Sequence, residues 1–406
     1  MKIILFPLSQ VLAHVSRAYV VGRELRARGH DVIFAAENLQ HARSQMSIVA
    51  QDGFRIVSAR EPDFSYLWRS MLEGGLRGTV SAVCSPKKWM PVDEIIESQV
   101  EVINSERPDV VVGFATATMS NAAYVAGVPA ANVYNAYYIG GIVSRPIWRF
   151  YWHAYDAVFL AAMRRTVYKR HGKKNVAAID LFSSVPLLSP DLPEMYEVGS
   201  ALYNAQMTGP ILFDYPAPAP EWIDEINDDT PNVYITMGST GVVYDAVRES
   251  FASLAKLPYR FIVTTGGQVN RDALGDIPGN FRVTAFAPGD AILARSRALV
   301  FHGGNGSMYQ ALRHGVPMLA IPTHNEQRIN ARIAERHGFC RLLEFKRARN
   351  GALRDAIVSL VESEPAMASA QHMAALVRES NGAATAADQI ERIAHDGVPT
   401  GANLRR

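Results

Sequence analysis

The chain has 406 residues, 48% of them hydrophobic, which is more core than one domain usually holds, so two domains are expected. Its 41 Lys and Arg against 39 Asp and Glu leave a formal charge of +2, so no global field points to nucleic acid or to an acidic partner. No apolar run approaches the roughly 18 residues of a membrane span, and the opening MKIILFPL is too short and too weakly charged for a signal peptide. Cys84 and Cys340 show no metal or redox spacing, which fits a reducing cytoplasm.

Short apolar runs then alternate with helical patterns, the signature of parallel α/β units. KIILFPL reads as a strand, and HVSRAYVVGRELRARGH as an amphipathic helix stopped by Gly29. DVIFAA, FRIVSA, DVVVGF and VPAANVY read as further strands, with helices in VDEIIESQVEVINSERP and MSNAAYVAG. Residues 135–174 change character, rich first in aromatics and then in Arg and Lys. They read as paired helices with aromatics in the core, or as an apolar acceptor cleft lined by some of Tyr137, Tyr138, Trp148, Phe150, Trp152 and Tyr155. Their basic run is more naturally a solvated helix face than a contact with anionic lipid, so peripheral membrane contact is not favoured.

The Pro-rich, aperiodic stretch that follows reads as a linker, giving an N-terminal domain over 1–202, a linker over 203–229, a second domain over 230–385 and a final helix and tail over 386–406. In the second domain VYITMG, YRFIVTTG, FRVTAFAP and ALVFHGG read as strands and STGVVYDAVRESFASLAKL as a helix.

The densest signal is LVFHGGNGSMYQALRHGVPMLAIPTHNEQ, residues 299–327. A strand running into Gly303, Gly304 and Gly306 and then a helix leaves backbone N–H groups free at a helix N-terminus, where the macrodipole favours an anion. Ser307 is placed to cap that helix or to bond a phosphate oxygen. Glu326 and Gln327 follow the next strand at its carboxyl end, where they can grip hydroxyls. A dinucleotide-binding oxidoreductase is the rival reading. Against it, Tyr309 stands where that fingerprint wants a third small residue, and the motif lies deep in the second half.

The run FHGGNGSMYQALRHGVPMLAIPTHNEQRINARIAERHG resembles the donor-binding motif of nucleotide-sugar-dependent glycosyltransferases of the GT-B fold, the family that includes UDP-glucuronosyltransferases and bacterial natural-product glycosyltransferases. The likeness extends to the first strand and helix, to TGPILF, to VYITMGSTG and to the closing NGAATAADQIERIA, which in the family crosses back to the N-terminal domain. It implies two doubly wound Rossmann-like α/β domains facing each other across a cleft, and a sugar donor as co-substrate; no D-x-D or clustered His/Asp spacing points to a divalent metal, and no organic cofactor is expected beyond the donor. It further implies that His302, Gly303, Gly304, Gly306 and Ser307 hold the diphosphate with Ser239 and Thr240. The nucleobase would lie by Phe286, Ala287 and Pro288, and Glu326 and Gln327 would bind the sugar. His14 matches the general base that deprotonates a hydroxyl of a small, hydrophobic acceptor, with inversion at the anomeric carbon.

The sequence departs from the family in three places. Gly289 replaces a common Gln beside the base, and Arg17 replaces a common Pro after the base histidine. No Asp follows DVVVGF to orient His14, which leaves Thr116, Thr118, Asn121, Asp63 or Asp93 for that role, or His14 acting alone. Two further readings stay open: a lipid glycosyltransferase at a membrane surface, and a nucleotide-sugar epimerase or non-catalytic nucleotide-sugar-binding partner. A monomer or a homodimer is expected.

Overall fold

The run KIILFP forms a strand, β1 (Lys2–Pro7), buried from Ile3 onward, in a computed structural model that describes residues 1–37, 40–64, 66, 77, 80–139, 146–196, 205–226, 229–237 and 243–402. A strand covered on both faces reads as a continuous apolar run. The same holds for β2 (Asp31–Ala36) beyond its first residue and for β4 (Val110–Phe114); β5 (Ala130–Val133) is buried but carries Asn132, which bonds Ser120, and β3 (Arg55–Ser58) is largely exposed. With β6 (Leu187–Ser189) and β7 (Ala205–Met207) they form a parallel sheet in the order β3-β2-β1-β4-β5-β6-β7. The second sheet, also parallel, runs β10-β9-β8-β11-β12-β13. Its strands are β8 (Asn232–Thr236), β9 (Arg260–Thr264), β10 (Phe281–Thr284), β11 (Ala298–Phe301), β12 (Met318–Ala320) and β13 (Cys340–Leu342). Both are doubly wound, Rossmann-like sheets.

The chain divides into two compact units, Met1–Ile211 with the segment from Asn381, and Leu212–Ser380. These bounds differ from the expected ones at both ends of the second unit. Within the stretch read as a linker, Ala205–Met207 pairs with β6, a strand too short to show a period of its own. The expected end at 385 falls inside a helix, Gly382–Asp396, which packs on the helix Leu12–Ala27 and on β4 and β5 of the first unit. Arg28 Nη1 reaches Asp388 at 2.6 Å and Glu391 at 3.0 Å, and His30 Nε2 lies 2.7 Å from Glu391, fixing that packing. The helix expected over 239–257 is observed as Val243–Glu249 and Phe251–Leu254, broken at Ser250, whose hydroxyl bonds the Ala246 carbonyl.

Candidate functional site

In the second unit β8 and β11 are neighbours at the point where the strand order reverses, and open α/β sheets bind ligands beyond the carboxyl ends of such strands. The loop leaving β11 is His302–Gly304; Ser239 and Thr240, after β8, lie outside the described residues. Gly303 has φ +91°, and a Cβ on Gly304 would stand 2.3 Å from Nε2 of His302, so the imidazole lies directly against the glycine backbone. Gly304 is the N-cap of the helix Asn305–Arg313, which no side chain caps, so first-turn amides are left for a ligand. Ser307 is therefore the third residue of that helix and not its cap, because the helix begins three residues earlier than the apolar pattern suggested. Gly306 is exposed, with open space where a side chain would be.

The next strand end closes on the same loop. A Cβ on Gly303 would meet the Gln327 carbonyl oxygen at 2.7 Å, and Asn330 Nδ2 donates to the Gly303 carbonyl at 3.4 Å. The first turn of the helix Asn325–Arg336, with Glu326 and Gln327, thus packs on the glycine loop. Gln327 is buried, and its Oε1 accepts from the Thr323 amide at 2.9 Å and the Thr323 hydroxyl at 3.0 Å, which leaves its amide nitrogen as the donor it can offer. Burial, and then the neighbouring His324, lower the His302 pKa to about 4, so the ring is neutral at pH 7 and donates one N–H without carrying a charge. Its Nδ1 is buried with no hydrogen-bond partner among the described residues. His324, at the N-cap of Asn325–Arg336, was visible in the sequence only as one more polar residue.

Phe286 is 45% exposed, Ala287 is buried, and Pro288 precedes the short helix Gly289–Leu293. Tyr215 stacks on Phe286, ring centroids 5.5 Å apart at 24°. Its segment is held down by Gln310 Nε2 on the Phe213 carbonyl at 2.6 Å and by Arg313 on Asp214 at 2.9 Å. Sequence reading assigned Tyr215 to the linker, and nothing local signalled its ring contact.

In the first unit the order reverses between β1 and β4. The two exits are tied together: Leu8 N donates to the Phe114 carbonyl at 3.0 Å and Thr116 Oγ1 to the Phe6 carbonyl at 2.9 Å, with Ala115 turned through φ +60°. His14 sits in the first turn of the helix Leu12–Ala27, partly buried, and no described side chain hydrogen-bonds its ring. Burial, and then the Arg17 guanidinium, lower its pKa to about 3. Arg17 is itself buried and donates to Asn135 Oδ1 at 2.6 Å.

Of the candidate orienting groups, Thr116, as above, Thr118, Asn121 and Asp63 are engaged elsewhere. Thr118 accepts from Gln99, Asn121 accepts from Tyr168, and Asp63 receives the Tyr66 amide. Asp93 Oδ1 is buried with no hydrogen-bond partner among the described residues. What holds the His14 loop instead is Glu61, which the sequence did not single out. Its Oε2 accepts the Ser9 amide at 2.8 Å, and its Oε1 accepts the Ser9 hydroxyl at 2.6 Å and Gln10 Nε2 at 3.0 Å. Burial raises the Glu61 pKa, Glu37 adds to this, and the Ser9 and Gln10 hydrogen bonds oppose it.

Of the aromatic candidates, Tyr137 is buried, Tyr138 and Trp152 are each 36% exposed, the Tyr138 ring lies 4.3 Å from that of Tyr137, and Trp152 is on the helix Pro146–Tyr155. The Trp148 side chain lies outside the described residues.

Residues 248–390 match the family described as erythromycin biosynthesis protein CIII-like, C-terminal domain. Over 308 residues, 71% of this chain and 68% of the other, the sequence is 27% identical to a PGL/p-HBAD biosynthesis rhamnosyltransferase of Mycobacterium bovis. The fold superposes on CalG4, the calicheamicin glycosyltransferase, with a TM-score of 0.78 at 18% identity over 98% of this chain and all of that one. Its fold is that of the GT-B glycosyltransferases. Glycosyltransferase VinC, solved in complex with dTDP, superposes with a TM-score of 0.77 at 19% identity over 98% of this chain and 100% of its own. The family match covers the glycine loop and the Glu326–Gln327 turn, both at the reversal point of the second sheet.

Proposed function

We propose that this glycosyltransferase moves a hexose from a nucleoside-diphosphate sugar to a hydroxyl of a small hydrophobic acceptor, with inversion. The observation that carries the reading is the packing of the His302–Gly304 loop against Gln327, which joins an anion-binding helix N-terminus to a sugar-binding pair. The diphosphate is met by the amides of the Gly304 turn and by the neutral His302 ring, and the developing negative charge on the leaving group is stabilised there. The acceptor oxygen forms its bond to the anomeric carbon as the bond to the diphosphate oxygen breaks, and its proton passes to His14. No resident metal or organic cofactor enters the scheme.

With a pKa of about 3, the free His14 is neutral across the working range but a weak base. An acidic hydroxyl, a phenol in preference to an alcohol, is the acceptor group it serves best. Trp152 and Tyr138, both partly exposed, supply apolar wall for such a ring. The test is nucleoside-diphosphate release from a panel of dTDP- and UDP-sugars with and without a phenolic acceptor. Release that depends on the acceptor supports transfer. Release or isomerisation of the sugar without acceptor defeats it.

A further inference from the structure

The helical run from Pro146 to Arg170 carries an outward stripe that neither ligand region uses. The helix Pro146–Tyr155 passes through a π-helical turn, Asp156–Leu160, into the helix Ala161–Arg170, with helical backbone at both joints. Ile147 is 75% exposed, Phe150 76% and Val158 70%, at spacings that put them on one side of the run. Beyond Ala162 the stripe turns cationic: Arg165 and Lys169 are exposed and line a shallow depression of about 550 Å³.

The run itself brings no acid to this face, and the acids that border its far edge, Asp93, Glu94, Glu97 and Glu101, meet it at Thr166, Val167 and Arg170. The one acidic residue between Pro146 and Arg170 is Asp156, which is buried and bonded to Arg164, with Nη2 to Oδ2 at 2.8 Å. From the neighbouring helix Val92–Glu106, Glu97 takes up Arg170 at 3.0 Å and leaves Arg165 and Lys169 out of its pairing.

From Ile147 to Lys169 the stripe is roughly 33 Å long at 1.5 Å per residue, far longer than a small acceptor. Three large apolar side chains exposed along its first half, roughly 17 Å at 1.5 Å per residue, mark an interaction site, and an apolar half followed by a cationic half matches a surface with an apolar interior and anionic rim. No helix among the described residues is long and apolar enough to cross a membrane, so the fit is to lying on one. We propose that this stripe docks the protein on anionic phospholipid membranes. Ile147 and Phe150 enter the acyl boundary, and Arg165 and Lys169 meet headgroup phosphates.

Flotation with phosphatidylcholine vesicles, with and without phosphatidylglycerol, tests this without any transfer assay, so it stands or falls apart from the proposed reaction. The wild type is expected to float with phosphatidylglycerol vesicles and to be released by salt. Arg165→Gln with Lys169→Gln should weaken binding about thirtyfold, at about 1 kcal/mol per basic residue, and Ile147→Ser with Phe150→Ser should weaken it at every salt concentration. Circular dichroism and melting temperature report whether the variants fold. No flotation with phosphatidylglycerol, or flotation that neither pair weakens, overturns the proposal. So does a sedimentation experiment in which Ile147→Ser with Phe150→Ser splits a dimer while flotation is unchanged. Should a pair fail to fold, brominated phosphatidylglycerol decides with the wild type. Quenching of tryptophan emission, Trp152 lying on this run, is expected, and its absence defeats membrane docking.

Discussion

Nε2 of His302 lies 2.3 Å from where a Cβ on Gly304 would be, so ring and glycine fit only as a pair. Gly304→Ala must displace the imidazole, because the backbone of the helix N-cap cannot give way. It is expected to weaken dTDP and UDP binding by tenfold or more while the melting temperature without ligand moves little. His302→Ala should lose diphosphate affinity without that steric cost. Calorimetric titration of both variants checks this, and unchanged affinity in both removes the loop from the donor site.

His302 and His14 also set a pH dependence of stability. Each has a folded pKa below the ordinary 6.5, at about 4 and about 3. Above pH 6.5 both states are neutral and nothing is gained or lost. Below it the unfolded chain takes protons that the folded one refuses, so stability falls as pH drops toward 4, by at most about 1.4 kcal/mol per unit for each ring. Melting temperatures from pH 7 to 4.5 should fall less steeply in His302→Gln than in the wild type. Parallel curves would show that burial does not hold this ring neutral.

Glu61 grips Ser9 and Gln10, five and four residues before His14. Glu61→Ala frees the loop that launches the His14 helix and is expected to lower kcat for transfer on the order of 10²-fold, as a misplacement of about 1 Å does, with nucleoside-diphosphate binding intact. Glu61→Gln, which keeps one acceptor oxygen, should recover part of the rate. His14→Ala should cost 10²–10⁴-fold with an alcohol acceptor and less with a phenol. The rate of the wild type should show no acidic limb near pH 6.5, since His14 titrates at about 3. A limb at that pH assigns the proton transfer to another group.

Tyr215 and Phe286 present a stacked, half-exposed aromatic surface. Replacing either by Ala should weaken nucleoside-diphosphate binding by about 0.5–1.5 kcal/mol and leave inorganic pyrophosphate binding unchanged. Equal losses for both ligands would place the pair away from the base.

The strands were legible because each central one is covered on both faces and reads as an unbroken apolar run, KIILF and ALVF being the clearest. The glycine loop and the Glu326–Gln327 turn were legible because their chemistry is local, and the structure brings them together. Glu61 and Tyr215 were not. Each acts through a partner distant in the chain, Ser9 52 residues away in one case and Phe286 in the other, and a lone acid after an edge strand or a Tyr in a Pro-rich stretch carries no periodic signal. The same limit hid Ala205–Met207, whose three residues earn their place only by pairing with β6.

The helix Gly382–Asp396 begins where its first residue faces the carbonyls of Gly209 and Pro210, the position of a Cβ on Gly382 lying 2.3 and 2.4 Å from them. Gly382→Ala should therefore cost about 1–3 kcal/mol of stability through overpacking, read as a lowered melting temperature. The same contact sets the two chain passages between the units side by side. In chain terms residues 212–380 are an insert carried by the first unit, whose own sequence is discontinuous. Excising the insert and joining Ile211 to Asn381 through a short Gly-Ser bridge should leave the first unit folded by itself. Expressing 1–211 without its returning helix should leave the face that receives Ile390 and Ile393 bare, and an aggregating chain.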